Sequence, residues 1–249
     1  MSCMTYIAGD SVIHRLDPRV KILVTICFTF STALSNNFIV LGSLFIVALI
    51  LAFWAHLPVR LVIKRLLRLN LFMLLLWFVL PFTTPGAAVF YLHSWALSEA
   101  GIWLSLAITV KGNTIVLFYT TLLGTVELSV LGHALAQLKI PAKLTHLFLF
   151  TIRYVDVFHH EYERLSRALK TRCFQPGFNS HTYRTYGYLV ALLLTRSLDR
   201  AERVLAAMKC RGYQGKFYIL TRFAMRSSDL LFGVVSGFIF FILIWIEIS

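Results

Sequence analysis

ERLSRALKTRCF at residues 163–174 and ERVLAAMKCRGY at residues 202–213 are two versions of one pattern. Aligned without a gap, they share Glu-Arg at the start, an Ala, a Lys and an Arg at fixed places, and an aromatic residue at the end. Side chains four residues apart on a helix lie one above another, so each segment carries the same three residue types on one face. These residues are Arg164, Ala168 and Arg172 in the first segment and Arg203, Ala207 and Arg211 in the second. The pattern predicts two helices, each with a basic stripe and a small residue at its middle.

Both stripes end in an arginine at the point where the helix is predicted to stop. Gly212 is a favoured residue for ending a helix, and Pro176-Gly177 interrupts the first segment. The negative end of the helix dipole supports a guanidinium there, and its planar fork of donors can reach outward. A single stripe of this kind is typical of a solvated helix face. Two copies instead favour two similar sockets on a partner that is a dimer or a pseudo-dimer.

The composition is that of an integral membrane protein. Of the 249 residues 58% are hydrophobic, and the mean hydropathy is +0.76. The net charge of +13 is concentrated at residues 127–227, which contain 16 Lys and Arg against 6 Asp and Glu. Such a segment is expected on the cytoplasmic side. No motif that recognises nucleic acid accompanies the charge, so we expect the lipid bilayer or an acidic protein surface as partner and no nucleic acid.

Uncharged stretches predict about five transmembrane helices. Residues 22–57 carry no charge over 36 positions, enough for two short helices joined at Ser35-Asn36-Asn37. A third span begins at Leu69 and ends near Pro81–Thr84, followed by an external loop at Ala87–Ser98. The fourth is Gly101–Gly124 and the fifth is Leu230–Ile246. Arginines and lysines on both flanks of the first pair place the N-terminus inside.

The charge pattern divides the chain into three segments. Residues 1–126 form an N-terminal membrane region of four helices, and residues 228–249 form a C-terminal transmembrane helix. Between them, residues 127–227 contain helices too short or too charged to span. A short helix at Leu128–Leu138 is followed by two long ones, from about Ala142 to Arg172 and from Tyr186 to Gly212. Both long helices begin apolar and become charged, so we expect each to start in the membrane and end in the cytosol.

Few residues offer reactive or ligand-binding chemistry. Lys111 is the single charge in the fourth span, which indicates either an intramembrane functional group or a side chain that snorkels or lies at a protein-buried bend. His159 and Glu163 lie four apart, as a metal pair would, but a solvated face is favoured because a third ligand is lacking.

The N-terminal trio Asp10, His14 and Asp17 is a weaker metal candidate than a helix start capped by Asp17 and opened by Pro18. The sequence contains no GxxxxGK[ST] phosphate loop. No set of carboxylates, and no Ser/His/Asp set, is placed to form an intramembrane active site. The four cysteines have no CxxC spacing.

Several blocks resemble the transmembrane coupling subunit, or T component, of energy-coupling-factor transporters. They are HRLDPRVK at residues 14–21, Arg153-Tyr154 leading to Glu161, and the two Ala-x-x-Arg helix ends. RSLDRAER at residues 196–203, running into AMKCRGYQG at 207–215, is similar to the cobalt/nickel branch. Two positions depart from the family: Cys173 follows Arg172 where a glycine is usual, and Lys111 stands where an arginine is common.

The resemblance implies a division of labour. This chain would be a non-catalytic coupler with no cofactor, linking two ATP-binding-cassette subunits, which bind ATP and Mg, to a membrane subunit that binds cobalt or nickel. The helix ends with Arg172 and Arg211 would sit in grooves of the two ATPases, and the chain would lie in a bacterial cytoplasmic membrane. A stand-alone permease or channel, or a membrane-bound enzyme, remains the alternative from the residues themselves.

Overall fold

The residues that the structure describes are helical apart from one short β-hairpin and the connecting turns. The computed structural model describes residues 9, 11, 13–84, 88–92, 95–138, 140–215 and 227–248. Within these residues the helices are α1 (Pro18–Leu34), α2 (Phe38–Trp54), α3 (Val59–Thr83), α4 (Glu99–Phe118), α5 (Leu128–Gln137), α6 (Ala142–Thr171), α7 (Ser180–Cys210) and α8 (Ser227–Ile248). The strands are β1 (Ala88–Leu92) and β2 (Trp95–Ser98), and a π-helical turn (Tyr119–Leu123) continues α4. The predicted all-α membrane fold is confirmed.

The chain divides into two compact units. One comprises the described residues between 135 and 222, and contains α6 and α7. The other comprises the described residues between 5 and 134 together with those between 223 and 249. The three segments proposed from the charge pattern stay a prediction.

The predicted spans correspond to helices of the second unit. In the described part of the chain, three helices are long and apolar enough to cross a membrane: Val59–Thr83, Glu99–Leu123 and Ser227–Glu247. α1 and α2 have 17 residues each, and α2 is strongly apolar. This length is slightly short of the roughly 20 residues that a perpendicular crossing needs. α1 and α2 are separated at Ser35-Asn36-Asn37 as predicted.

Two predicted helix starts were placed too late. α3 begins at Val59, ten residues before the expected Leu69, because Arg and Lys are good helix formers and the basic residues there do not interrupt the helix. α7 begins at Ser180 and not at Tyr186. In both cases the helix continues through the point at which the sequence becomes less hydrophobic.

The two ends of α8 are fastened to the two ends of α1. Asp17 caps α1 by accepting a hydrogen bond from the Arg19 amide at 2.9 Å, and Pro18 opens the helix, as predicted. The Asp17 amide donates to Asp229 Oδ1 at 3.0 Å. At the other end, the Ser35 hydroxyl and the Asn36 amide donate to the Glu247 carboxylate at 2.6 and 3.0 Å. α1 and α8 therefore run in the same direction. If they are the first and the last crossing, as predicted, the number of crossings is odd. Arg222 and Arg226, used to orient this span, lie outside the described residues.

Aromatic rings fill the core of this unit. Phe28 of α1 is buried and stacks on Phe118 of α4 with ring centroids 5.0 Å apart, and Phe240 of α8 approaches its edge at 6.3 Å. Leu44 and Ala48 of α2 complete the packing. Because each helix contributes to the same cluster, the four helices form one packed body.

α3 and α4 approach closely where the chain turns. A Cβ on Gly101 would lie 2.7 Å from the Pro81 Cα, so only glycine fits there. The segment between them, predicted as an external loop at Ala87–Ser98, instead contains the antiparallel hairpin of β1 and β2. Ala87 and His93 lie outside the described residues.

Candidate partner interface on two long helices

α6 and α7 form an antiparallel pair. The ring of Phe174, just after α6, lies 6.2 Å from His181 and 5.9 Å from Tyr186 at the start of α7. Midway along the pair, the guanidinium of Arg196 forms a salt bridge with the carboxylate of Glu161. The end of one helix therefore lies beside the start of the other. The expectation that both helices begin in the membrane and end in the cytosol is wrong, because antiparallel neighbours cannot both run in that direction.

This pairing places the two terminal arginines at opposite ends of the helical hairpin. A helix rises about 1.5 Å per residue. Counted from the Glu161–Arg196 salt bridge, Arg172 lies roughly 16 Å along α6, and Arg211 lies roughly 22 Å along α7 in the opposite direction. The fold does not bring the two basic stripes together but separates them.

All six stripe residues are exposed, and so is Gly212. They are Arg164, Ala168 and Arg172 on α6 and Arg203, Ala207 and Arg211 on α7. In the described part of the chain, neither Arg172 nor Arg211 forms a salt bridge or a side-chain hydrogen bond. The guanidinium groups at the two helix ends are thus open to an external anion or carboxylate.

The two helix ends have the same backbone geometry. After α7, the amides of Gly212 and Tyr213 donate to the carbonyls of Lys209 and Met208, both at 3.0 Å. After α6, the amides of Cys173 and Phe174 donate to the carbonyls of Lys170 and Leu169 at 3.0 and 3.2 Å. Both sets are Schellman motifs, which need a left-handed residue after the cap.

Gly212 supplies that residue with φ of 83°, and Cys173 supplies it with φ of 58°. Cysteine pays a steric cost in this conformation that glycine avoids. The departure from the Arg-Gly sequence at Cys173 therefore leaves the geometry of the helix end intact.

Arginines from both helices converge near the Glu161–Arg196 salt bridge, which the sequence did not predict. Glu161, Arg164, Arg196, Asp199, Arg200 and Arg203 line a polar cleft of about 330 Å³, which we call the basic cleft. The hydrogen bond from Arg196 holds the pKa of Glu161 below its usual value, and the charges of Arg164 and Arg200 act in the same direction. Sequence spacing links Arg196 to Arg200 and Arg203, but nothing in it indicates that Glu161 and Arg164 join them.

Lys111 contacts the end of α1. Its ammonium group donates to the carbonyl of Ala33 at 3.2 Å and to Asn36 Oδ1 at 3.3 Å, and it interacts electrostatically with Glu247. The C-terminal end of a helix carries partial negative charge, which favours a cation. Of the two hypotheses for Lys111, these contacts favour the structural one.

The metal candidates gain no third ligand. His159 Nε2 lies 3.4 Å from Glu163 Oε1, with both side chains about two-fifths exposed at 39% and 43%. Glu163 also contacts His160 and Arg167. Among the residues that the structure describes, no group of three His, Cys, Asp or Glu side chains could hold a metal ion. Asp10 of the N-terminal trio lies outside them.

Comparison with known proteins matches most of the chain to one family. The family described as cobalt transport protein, CbiQ, matches residues 9–219. The chain belongs to this family. Its relatives include proteins named energy-coupling factor transporter transmembrane protein EcfT. The Listeria innocua protein is 28% identical over 95% of this chain and 96% of its own length. The Streptococcus equi subsp. equi protein is also 28% identical, over 96% of this chain and 94% of its own length.

The Bacillus subtilis protein of the same name is 26% identical over 84% of this chain and 83% of its own length. The family match and these relatives confirm the resemblance to the T component of energy-coupling-factor transporters, and the cobalt branch agrees with the family's description. This CbiQ-family chain is therefore a transmembrane component of a transporter.

Proposed function

We propose that the chain couples ATP hydrolysis by two cytoplasmic ATPase subunits to the uptake of cobalt or nickel, which a separate membrane subunit binds. The chain itself is not an enzyme and holds no cofactor, and ATP and Mg are bound by the ATPases. Its place is a bacterial cytoplasmic membrane, with the N-terminus and residues 127–227 facing the cytoplasm.

One observation carries the proposal: a single helical hairpin ends on opposite sides in two exposed arginines with the same cap geometry. Neither arginine has an internal salt bridge in the described part of the chain, so each can pair with a carboxylate of a partner. Two like groups at opposite ends of one helical hairpin fit two like subunits better than one.

Coupling follows from the connection between the two ends. When ATP draws the ATPases together, the sockets that hold Arg172 and Arg211 approach each other. α6 and α7 are joined by the Glu161–Arg196 salt bridge and by the contacts of Phe174. A force on the end of one helix is therefore transmitted to the other helix. The movement of the pair then acts on the subunit that binds the metal.

The alternative of a stand-alone channel loses its main support. It rested on Lys111 as a polar group within a span, and the described contacts engage Lys111 with Ala33 and Asn36. A cation held by a helix end is poorly placed to line a conducting path.

The test is co-purification of the ATPase subunits with tagged variants of this chain. Arg172→Ala and Arg211→Ala should each weaken the complex, because the partner groove would retain an unpaired charge at a cost of about 2–5 kcal/mol if it is buried. That cost corresponds to a rise in Kd of roughly 30-fold or more. The double variant should lose the complex.

Arg184→Ala is the matched control, since Arg184 is an exposed arginine of α7 outside both stripes. It should co-purify with the ATPases as the unaltered chain does. A full complement of ATPase on the double variant would refute the assignment of the two arginines. Uptake of radioactive cobalt and nickel by cells expressing the whole complex, with and without the double substitution, identifies the cargo.

A further inference from the structure

An apolar groove runs between the start of α6 and the end of α7. Its volume is about 380 Å³, and apolar atoms make up nearly all of its wall. The side chains that form it include Leu147, Phe150, Tyr154, Val204, Met208 and Tyr213. Leu147 is 65% exposed, so the groove is open at its surface. Nothing in the proposed pairing of Arg172 and Arg211 with the ATPases uses this groove.

The groove continues into the basic cleft. Phe158, Ser197 and Arg200 line both, so an apolar wall passes directly into a polar one. The cleft holds four arginines against two carboxylates, and one of these, Glu161, is engaged by Arg196. In the described part of the chain, Arg200 and Arg203 form no salt bridge. The cleft therefore has unpaired positive charge at the mouth of the groove.

We propose that this surface binds an anionic phospholipid, with its phosphate in the basic cleft and one acyl chain in the apolar groove. Because the two cavities adjoin, they suit a ligand whose anion and apolar chain are joined in one molecule, and the bilayer supplies such a ligand at high local concentration. Arginine forks match phosphate oxygens in geometry, and basic pockets on the cytoplasmic side of membrane proteins attract anionic headgroups. A single buried chain binds only marginally, so the arginines supply the second contribution that stable binding needs.

The experiment uses the full chain, purified together with the subunits that accompany it and placed in phosphatidylcholine vesicles. The probe is a phosphatidylglycerol with a photoreactive group in its acyl chain, and a phosphatidylcholine with the same chain is its neutral counterpart. After illumination, mass spectrometry locates the labelled peptides. We expect phosphatidylglycerol to label residues 147–158 and 197–213 and unlabelled phosphatidylglycerol to compete, whereas the neutral probe labels these segments weakly.

Two variants test the contributions of the headgroup and of the acyl chain one at a time. Arg200→Gln should lower labelling by phosphatidylglycerol about fivefold, which corresponds to about 1 kcal/mol for one basic residue near the surface. Ala201→Phe places a ring into the groove from an exposed position and should also lower labelling, although the charge is unchanged. Arg167→Gln is the matched control: its side chain is 71% exposed, it lines neither cavity, and labelling should be unaffected.

Three outcomes would overturn the proposal. Equal labelling by the charged and neutral probes means that the arginines do not select the headgroup. An equal loss in Arg200→Gln and Arg167→Gln means that labelling reports general surface charge. Labelling that is absent from the assembled complex but present on the chain alone means that a protein subunit occupies the groove. The first two outcomes do not depend on whether Arg172 and Arg211 bind the ATPases.

Discussion

Exchanging the residues that follow the two terminal arginines should shift the stability of the two helix ends in opposite directions. Cys173 has φ of 58° and Gly212 has φ of 83°, in otherwise equivalent caps. A residue with a Cβ costs about 1–2 kcal/mol in the left-handed region. Glycine recovers this cost but loses about 0.4–1 kcal/mol through the greater freedom of the unfolded chain. With the middle of each range, the net gain for Cys173→Gly is about 0.8 kcal/mol, and Gly212→Cys should lose a similar amount.

Crowding does not complicate the comparison. A Cβ on Gly212 would meet no heavy atom within 4 Å, and Cys173 is exposed, so the difference comes from the backbone. Hydrogen exchange followed by mass spectrometry measures it at the amides of the two caps. A shift of about 0.8 kcal/mol changes the exchange rate about fourfold. Exchange should slow at residues 163–174 in Cys173→Gly and quicken at residues 202–213 in Gly212→Cys.

Residues 142–158, at the start of α6, provide the internal control and should exchange at the same rate in both variants. The reasoning is refuted if Cys173→Gly quickens exchange at the α6 cap, or if Gly212→Cys leaves the α7 cap unchanged. Either result means that side-chain contacts, and not the left-handed backbone, determine how firmly each terminal arginine is held.

The other predictions concern topology, the histidine pair and Lys111. In intact cells, an impermeant thiol reagent should label Asn36→Cys and leave Ser180→Cys unlabelled. Equal labelling of both would overturn the assigned orientation. Replacing His159 and Glu163 together with Ala should leave metal uptake nearly intact, because both lie on an exposed face; loss of uptake with normal assembly would mean that metal passes through this chain. Lys111→Met should remove two hydrogen bonds at the end of α1 and lower the apparent melting temperature by a few degrees, at about 1 kcal/mol per bond. An unchanged melting temperature with lost uptake would instead give Lys111 a functional role.

Local signals in the sequence predicted the helices well. The length of the uncharged runs gave the separation of α1 and α2, and Asp17-Pro18 gave the start of α1 with its cap. Starts predicted from hydropathy were wrong where basic residues precede an apolar run, as in α3, because charge and helix propensity are independent properties. The β-hairpin was not predicted, because its segment directly follows Pro85 and Gly86, which favour a loop.

The sequence predicted the residues of the candidate interface but not their arrangement in space. The repeated pattern identified Arg172 and Arg211 and the ends of their helices, because caps and faces depend on residues within one turn. Their position at opposite ends of a hairpin follows from the antiparallel pairing of α6 and α7. A clue was present in the short connection between Arg172 and Ser180, since short connections join antiparallel helices. Hydropathy, on which the predicted direction of the helices rested, cannot distinguish an apolar helix face that meets lipid from one that meets another helix.

The sequence alone determined the membrane class, the helices and the exposed arginines, because composition and local spacing act within a single segment. Tertiary structure decided which segments meet. It joined Glu161 to Arg196, fastened both ends of α8 to α1, gave Lys111 its partners at Ala33 and Asn36, and placed an apolar groove beside four arginines. These contacts link residues tens to hundreds of positions apart. Their formation depends on how whole helices pack, and the pattern within any one helix does not contain that information.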